Sequence, residues 1–290
     1  MFFILIFCSI SSFVDHHGRL RVHGSKLIDS NGDIIVLRGV SFGSSPGFYN
    51  VNAIKQLWNQ WKTTCIRVPV DLSDGDLAIE SLYKAVFSAV KVGIYVLIDL
   101  VGESPDDEAR EFFIRISSDF GHFPNIIYGF SKSSEDSVSL LIKTIRRIDR
   151  LNLIVLGNQT ELNNFSGDVK LDYNVAYAIH VYAGDDNEEL KELVEFAVNS
   201  SLYLFVTESA ATNSSEDGDL FLEKYSDLIS YLNEKDISWI AKSISSKNES
   251  SSAFELNADP WKVWKTTDLK KWGVYIRDKL NWTFYNAEKK

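Results

Sequence analysis

CIRVPV (Cys65–Val70), LAIESLYKAVFSAVKV (Leu77–Val92) and YVLID (Tyr95–Asp99) follow one another with only short polar joints between them. A short β-branched apolar run, an amphipathic stretch of helical length and a second apolar run make a strand–helix–strand unit. Two strands joined through a helix run parallel, with a right-handed crossover. Working outward, the alternation recurs. Strands are expected at Leu37–Phe42, Cys65–Val70, Tyr95–Asp99, Ile126–Phe130, Leu153–Leu156, Val175–Tyr182, Leu204–Thr207 and Ser238–Ile240. Helices are expected at Asn52–Trp61, Leu77–Val92, Asp107–Phe120, Asp136–Asp149, Asn187–Asn199, Asp219–Lys235 and Asp268–Leu280. Between the fifth and sixth strands the helical signal is weak or short. Eight such units in 290 residues predict an α/β fold, a closed (β/α)8 TIM barrel. An open, doubly wound sheet is the alternative, but no Gly-rich phosphate loop follows the first strand. Ahead of the barrel, residues 26–36 read as an N-terminal β-hairpin, with Lys26-Leu27-Ile28 and Ile34-Ile35-Val36 joined by a turn carrying Asn31-Gly32.

The formal net charge of −10 argues against nucleic acid, whose phosphates need a basic footprint, and fits a neutral or cationic ligand. Residues 1–12 read as a signal peptide: the apolar run Phe2–Phe7 leads to a small-x-small cleavage site at Ser9-Ile10-Ser11, without a basic n-region. The run is too short to anchor in a bilayer, so no membrane attachment is expected after cleavage. Removing it takes Cys8 and leaves Cys65 alone, a buried structural thiol with no disulfide partner. Sequons at Asn158, Asn164, Asn199, Asn213, Asn248 and Asn281 fit the same route. A secreted, extracellular glycoprotein is therefore expected, a monomer whose single domain spans residues 18–285.

In a barrel, function sits where strands end on the C-terminal face. The seventh strand ends Val206-Thr207-Glu208, an acid directly after a buried run, which is costly unless paired or functional. The sixth carries His180 and Tyr182, two residues apart and so on one face. The second carries Arg67 inside an apolar run. One reading is a coupled set, with Arg67 keeping Glu208 ionised while Tyr182 and His180 hydrogen-bond around it. The plainer reading is a buried salt bridge and a satisfied core histidine.

The segments Leu27–Gly32, Leu37–Val40, Gly93–Asp99, Pro124–Tyr128, Ala178–Gly184, Phe205–Glu208 and Ile237–Trp239, in this order and spacing, resemble glycoside hydrolase family 5. The likeness is to secreted bacterial-type endo-β-1,4-glucanases (cellulases), a type also found in plant-parasitic nematodes. It covers essentially the whole mature chain. The resemblance implies a retaining glycosidase that needs no cofactor or metal and acts on β-glucan or another polysaccharide. One Glu attacks the anomeric carbon and a second, in an Asn-Glu-Pro motif after the fourth strand, serves as acid and then base. Glu208 matches the nucleophile, Arg67 and Tyr182 the residues that hold it, and His180 a pocket histidine.

The fourth strand departs from the family. Lys132-Ser133-Ser134 stands in place of Asn-Glu-Pro, which puts Ser133 at the acid/base position. A serine holds no proton that titrates near neutral pH, so it cannot protonate a departing sugar oxygen. Leu100-Val101 replaces Trp-His, Ser209-Ala210 replaces Trp-Gly, and Lys242 replaces the Trp that stacks on sugar. Glu135, with Asp136, reads as first-turn helix acids favoured by the dipole, with Ser133 or Ser134 as the cap. Glu103 and Asp106 read as a solvated loop. Lys132 and Lys242 add cations at the mouth. Either Lys242 pairs with Glu208 in the space left by Trp, which satisfies both charges internally, or the pocket takes an acidic ligand. Three functions stay open: an active endoglucanase, a silent glycan- or protein-binding secreted effector, and a decayed copy.

Overall fold

The computed structural model describes residues 12–131, 134–157 and 173–287. Eight parallel strands close into a barrel: β3 (Arg38–Phe42), β4 (Cys65–Asp71), β5 (Tyr95–Val101), β6 (Ile126–Ser131), β7 (Leu153–Gly157), β8 (Val175–Tyr182), β9 (Leu204–Ala210) and β10 (Ser238–Ile244). β10 pairs with both β9 and β3, which closes the ring. Outside lie α2 (Val51–Trp61), α3 (Asp76–Val92), α4 (Asp106–Phe120), α5 (Glu135–Ile148), α6 (Glu188–Asn199), α7 (Leu222–Glu234) and α8 (Lys271–Ala287). The expected barrel is the observed one, with helix starts shifted by a residue to a few. The weak segment between β7 and β8 falls at 158–172, outside the described residues, as do Asn158, Asn164 and the cleavage site. Among the described residues no helix is long and apolar enough to cross a membrane.

Strand alternation divides the core in two. Cys65, Leu97, Ile127, Val155, Ala178, Phe205 and Ile240 point into the lumen, while Ile66, Val96, Ile98, Val206 and Trp239 pack outward against the helices. Each fully buried aliphatic side chain contributes roughly 1.5–3 kcal/mol, so the lumen is a packed core beneath the mouth. A short helix, α1 (Phe13–His17), closes the far end. Ser12 caps it, the Val14 amide donates to the Gly93 carbonyl at 2.9 Å, and Val14 is buried in the lumen cluster.

The N-terminal hairpin is present, with a different partner. β2 (Lys26–Ile28) pairs antiparallel with β1 (Arg21–His23), through a two-residue turn in which Gly24 takes φ 60°. The Asn31-Gly32 turn also forms, organised by the Asp29 carboxylate accepting the Asn31 and Asp33 amides at 2.8 and 3.0 Å. Beyond it the chain keeps a single bridge, Ile28 to Ile34, because Ile35 and Leu37 turn into the barrel floor.

Candidate active site at the barrel mouth

Above the packed lumen, the same alternation turns Arg67, Asp99, His180, Tyr182 and Lys242 inward, each two residues or one further step beyond a lumen residue of its strand. Asp99 fits because the position beside it on β6 is Gly129. A β-carbon there would come within 2.6 Å of the Asp99 carboxylate.

Glu208 reaches the same space by another route. Regular alternation after Phe205 would face Thr207 inward and Glu208 outward. The β8–β9 register slips, however: Ile179 pairs with Val206 and His180 with Glu208, leaving Thr207 as the extra residue. A bulge of this kind re-aims the side chains beyond it. Glu208 thereby enters the mouth opposite His180, where it is only 6% exposed.

The buried network is continuous. Arg67 Nε donates to Asp99 Oδ2 at 2.7 Å, and Arg67 Nη1 to Glu208 Oε2 at 2.6 Å and to Ser41 Oγ at 3.3 Å. The Tyr182 hydroxyl donates to Glu208 Oε1. Lys242 Nζ donates to the same oxygen at 3.2 Å and to Glu216 Oε1 at 2.5 Å. Burial works to raise the Glu208 pKa, but the charges of Arg67 and Lys242 and the Tyr182 hydrogen bond outweigh it and bring it down to about 2. Burial, reinforced by Glu208, holds the Tyr182 hydroxyl protonated far above its ordinary range. His180 opens onto the cleft, yet the protein packed around its ring, and then the Arg67 charge, depress its pKa. A carboxylate kept ionised, fixed by a guanidinium and a phenol, is chemically equipped to attack an electrophilic carbon.

Two expected partners of this set stand differently. Lys132 and Ser133 lie outside the described residues, between the end of β6 and the cap of α5. Ser134, not Ser133, is the cap: its hydroxyl accepts the Ser137 amide at 3.1 Å. Glu135 and Asp136 open α5, in the first-turn setting expected of them. Glu103 is exposed on the loop after β5, whereas Asp106 begins α4 and accepts a 2.5 Å hydrogen bond from Ser137 Oγ, tying α4 to α5.

Lys242 is held by its own surroundings. Its carbonyl accepts from Trp272 Nε1 at 2.6 Å and its ammonium lies between two carboxylates. Of the two readings for this lysine, the internal pair with Glu208 is the one formed. A cleft of about 770 Å³ opens over it, lined by Ser41, Tyr49, Arg67, Glu208, Glu216 and Lys242. Its other charged walls, Asp71, Asp74, Lys247 and Glu249, leave acids in excess, which disfavours an acidic ligand. A smaller cavity of about 450 Å³, between Asp99, Phe130, Ser131, His180 and Thr207, adjoins it. Among the described residues no three His, Cys, Asp or Glu side chains converge as metal ligands.

The sequence reading missed two members. Asp99 ends an apolar strand as Glu208 does, and the same rule would have found it. Glu216 carries no such signal: it sits in the polar run Asn213–Gly218, at φ 68°, on the loop after β9.

Comparison with known proteins agrees with this geometry. Residues 28–248 match the family model described as cellulase (glycosyl hydrolase family 5). The chain is 30% identical over 280 residues to endoglucanase A of Evansella cellulosilytica, covering 86% of this chain and 57% of that protein. It is 28% identical to endoglucanase N of Pectobacterium atrosepticum, covering 92% and 66%. It thus spans about three fifths to two thirds of those relatives. Among solved structures, one from Cytophaga hutchinsonii superposes with a TM-score of 0.90 at 27% identity, over 96% of this chain and 99% of that one. A halotolerant family 5 cellulase from an Icelandic hot spring isolate follows at 0.85 and 26%, over 92% and 96%. The endoglucanase catalytic domain of Thermobifida fusca, solved with cellotetraose, shares the fold at 0.83 and 22%, over 92% and 99%. A continuous barrel-mouth network on a family 5 scaffold, matched over most of its length, places this chain in glycosyl hydrolase family 5, the cellulase family.

Proposed function

We propose that this protein is a secreted member of the family, polysaccharide-degrading by descent, whose hydrolysis is absent or weak because Ser133 occupies the acid/base position. Glu208 holds the nucleophile position. Attack by Glu208 Oε on an anomeric carbon forms a glycosyl–enzyme bond and breaks the bond to the leaving oxygen, which must then take a proton. The Ser133 hydroxyl is far too weak an acid to supply it, and losing a general acid costs about 10²–10⁴ in rate. The observation that carries the proposal is the Lys242 ammonium bound to Glu208 at 3.2 Å and to Glu216 at 2.5 Å. It occupies the nucleophile's second oxygen and stands where the resemblance expects an aromatic sugar platform. The size of the cleft and its lack of net positive charge support β-glucan or another neutral polysaccharide as ligand. The apolar segment at residues 1–12 supports secretion.

The test is release of reducing sugar from soluble β-glucan by the purified protein, beside Glu208→Gln, Ser133→Glu and Ser133→Glu/Lys242→Trp. Wild type is expected at or near the Glu208→Gln background. Ser133→Glu alone gains little, and the double variant gains most. Turnover by wild type far above that background sinks the proposal.

A further inference from the structure

We propose that Asn213 is a site of N-linked glycosylation placed on the rim of the cleft; this rests on the secretion proposed above. Four sequons lie in the described residues, and their surroundings differ. Asn281, within α8, has its amide nitrogen committed to the Gln60 and Arg277 carbonyls at 2.7 and 2.9 Å. Its Thr283 is buried and donates to the Lys279 carbonyl, so neither sequon group is presented to a transferase. Asn248 is exposed, but its Ser250 is half-buried and bonded away from the sequon, to Asp217 and the Gly218 carbonyl. Asn199 is exposed at the end of α6.

Asn213 differs from all three. It is exposed, and its side-chain Oδ1 accepts both the Ser215 amide at 3.2 Å and the Ser215 hydroxyl at 2.5 Å. The sequon is thus closed on itself, with Asn213, Ser214 and Ser215 all exposed. The loop is held in this shape at both ends. The Ser214 amide donates to Asp185 Oδ2 at 3.0 Å, the Glu216 amide to the Asn213 carbonyl at 3.0 Å, and the Gly184 amide to the Thr212 carbonyl at 2.9 Å.

In the transfer, Nδ2 bonds to the anomeric carbon of an oligosaccharide carried on a lipid pyrophosphate. The bond from that carbon to the pyrophosphate oxygen breaks, the lipid pyrophosphate departs, and the amide proton passes to a base of the transferase. The glycan root then stands three residues from Glu216, which lines the cleft and binds Lys242.

The experiment drives the chain into a eukaryotic secretory pathway with a foreign leader in place of residues 1–11, which keeps the Ser12 cap, beside a native-leader arm. Failure of the native arm alone counts against the secretion reading and leaves this one intact. In the foreign-leader protein, glycopeptide mass spectrometry is expected to find Asn213 modified. Endoglycosidase shifts should show one step fewer in Asn213→Gln and Ser215→Ala, the step kept in Ser215→Thr, and no change in Asn281→Gln. An unmodified Asn213 peptide, or a step lost in Asn281→Gln, overturns the proposal.

Discussion

On one wall of the barrel mouth, formed by β4, β5, β8 and β9, every charge answers another: Arg67 holds Asp99 and Glu208, and Tyr182 holds Glu208. On the other, at the end of β10 and the loop after β9, Lys242 stands where the family resemblance puts a tryptophan, beside Glu216. The contrast has a physical cause. Members of the first wall are buried ions, and removing any one strands its partners in low dielectric. Lys242 and Glu216, on the second wall, line the open cleft. There Lys242 is held internally, against Glu208 and Glu216.

The sharpest way to break this comparison is Arg67→Met. It leaves Asp99 and Glu208 facing each other without their shared cation, and about 3–5 kcal/mol of stability should go. Urea unfolding measures it, and a loss below about 1 kcal/mol would mean that the first wall is not bound by its burial.

Acid should have the next largest effect. Glu208 is depressed from 4.5 to about 2 in the folded protein, so its contribution is fully present above pH 4.5 and is lost as pH falls through about 2. The shift corresponds to roughly 3 kcal/mol. Denaturation curves across that window should show it in wild type and not in Glu208→Gln.

Lys242→Met should cost less, about 1–2 kcal/mol, because Arg67 and Tyr182 still hold Glu208. Its clearer signature is an upward move of the Glu208 titration, followed by carbon-13 NMR. A loss equal to that of Arg67→Met would erase the distinction between the walls. The smallest effect belongs to Ser134→Ala, which removes the cap of α5 at an exposed position and should lower the unfolding midpoint by the equivalent of about 0.5–1 kcal/mol.

Most of the fold was legible because the barrel strands are buried on both faces and read as continuous apolar runs. The hairpin partner was not. Arg21-Val22-His23 is polar and short, and it is held by a contact from far away, the Val22 amide donating to Asn174 Oδ1 at 2.8 Å. Arg67, His180 and Tyr182 were legible as polar groups at fixed spacing in strands. Glu216 was hidden in a polar loop whose path depends on distant bonds, including the Ser251 amide donating to its carbonyl at 3.1 Å.

By itself, the amino-acid order determined eight parallel strands, their closure and the inward facing of Arg67, His180 and Tyr182, since a regular strand repeats every two residues. It also determined that serine, not glutamate, stands at position 133. Only the tertiary structure decided that Glu208 faces in, because the bulge at Thr207 breaks that repeat, and that Lys242 is shared with Glu216. Periodicity governs facing within a strand, whereas the meeting of a strand residue with a loop residue depends on contacts between segments far apart in the chain.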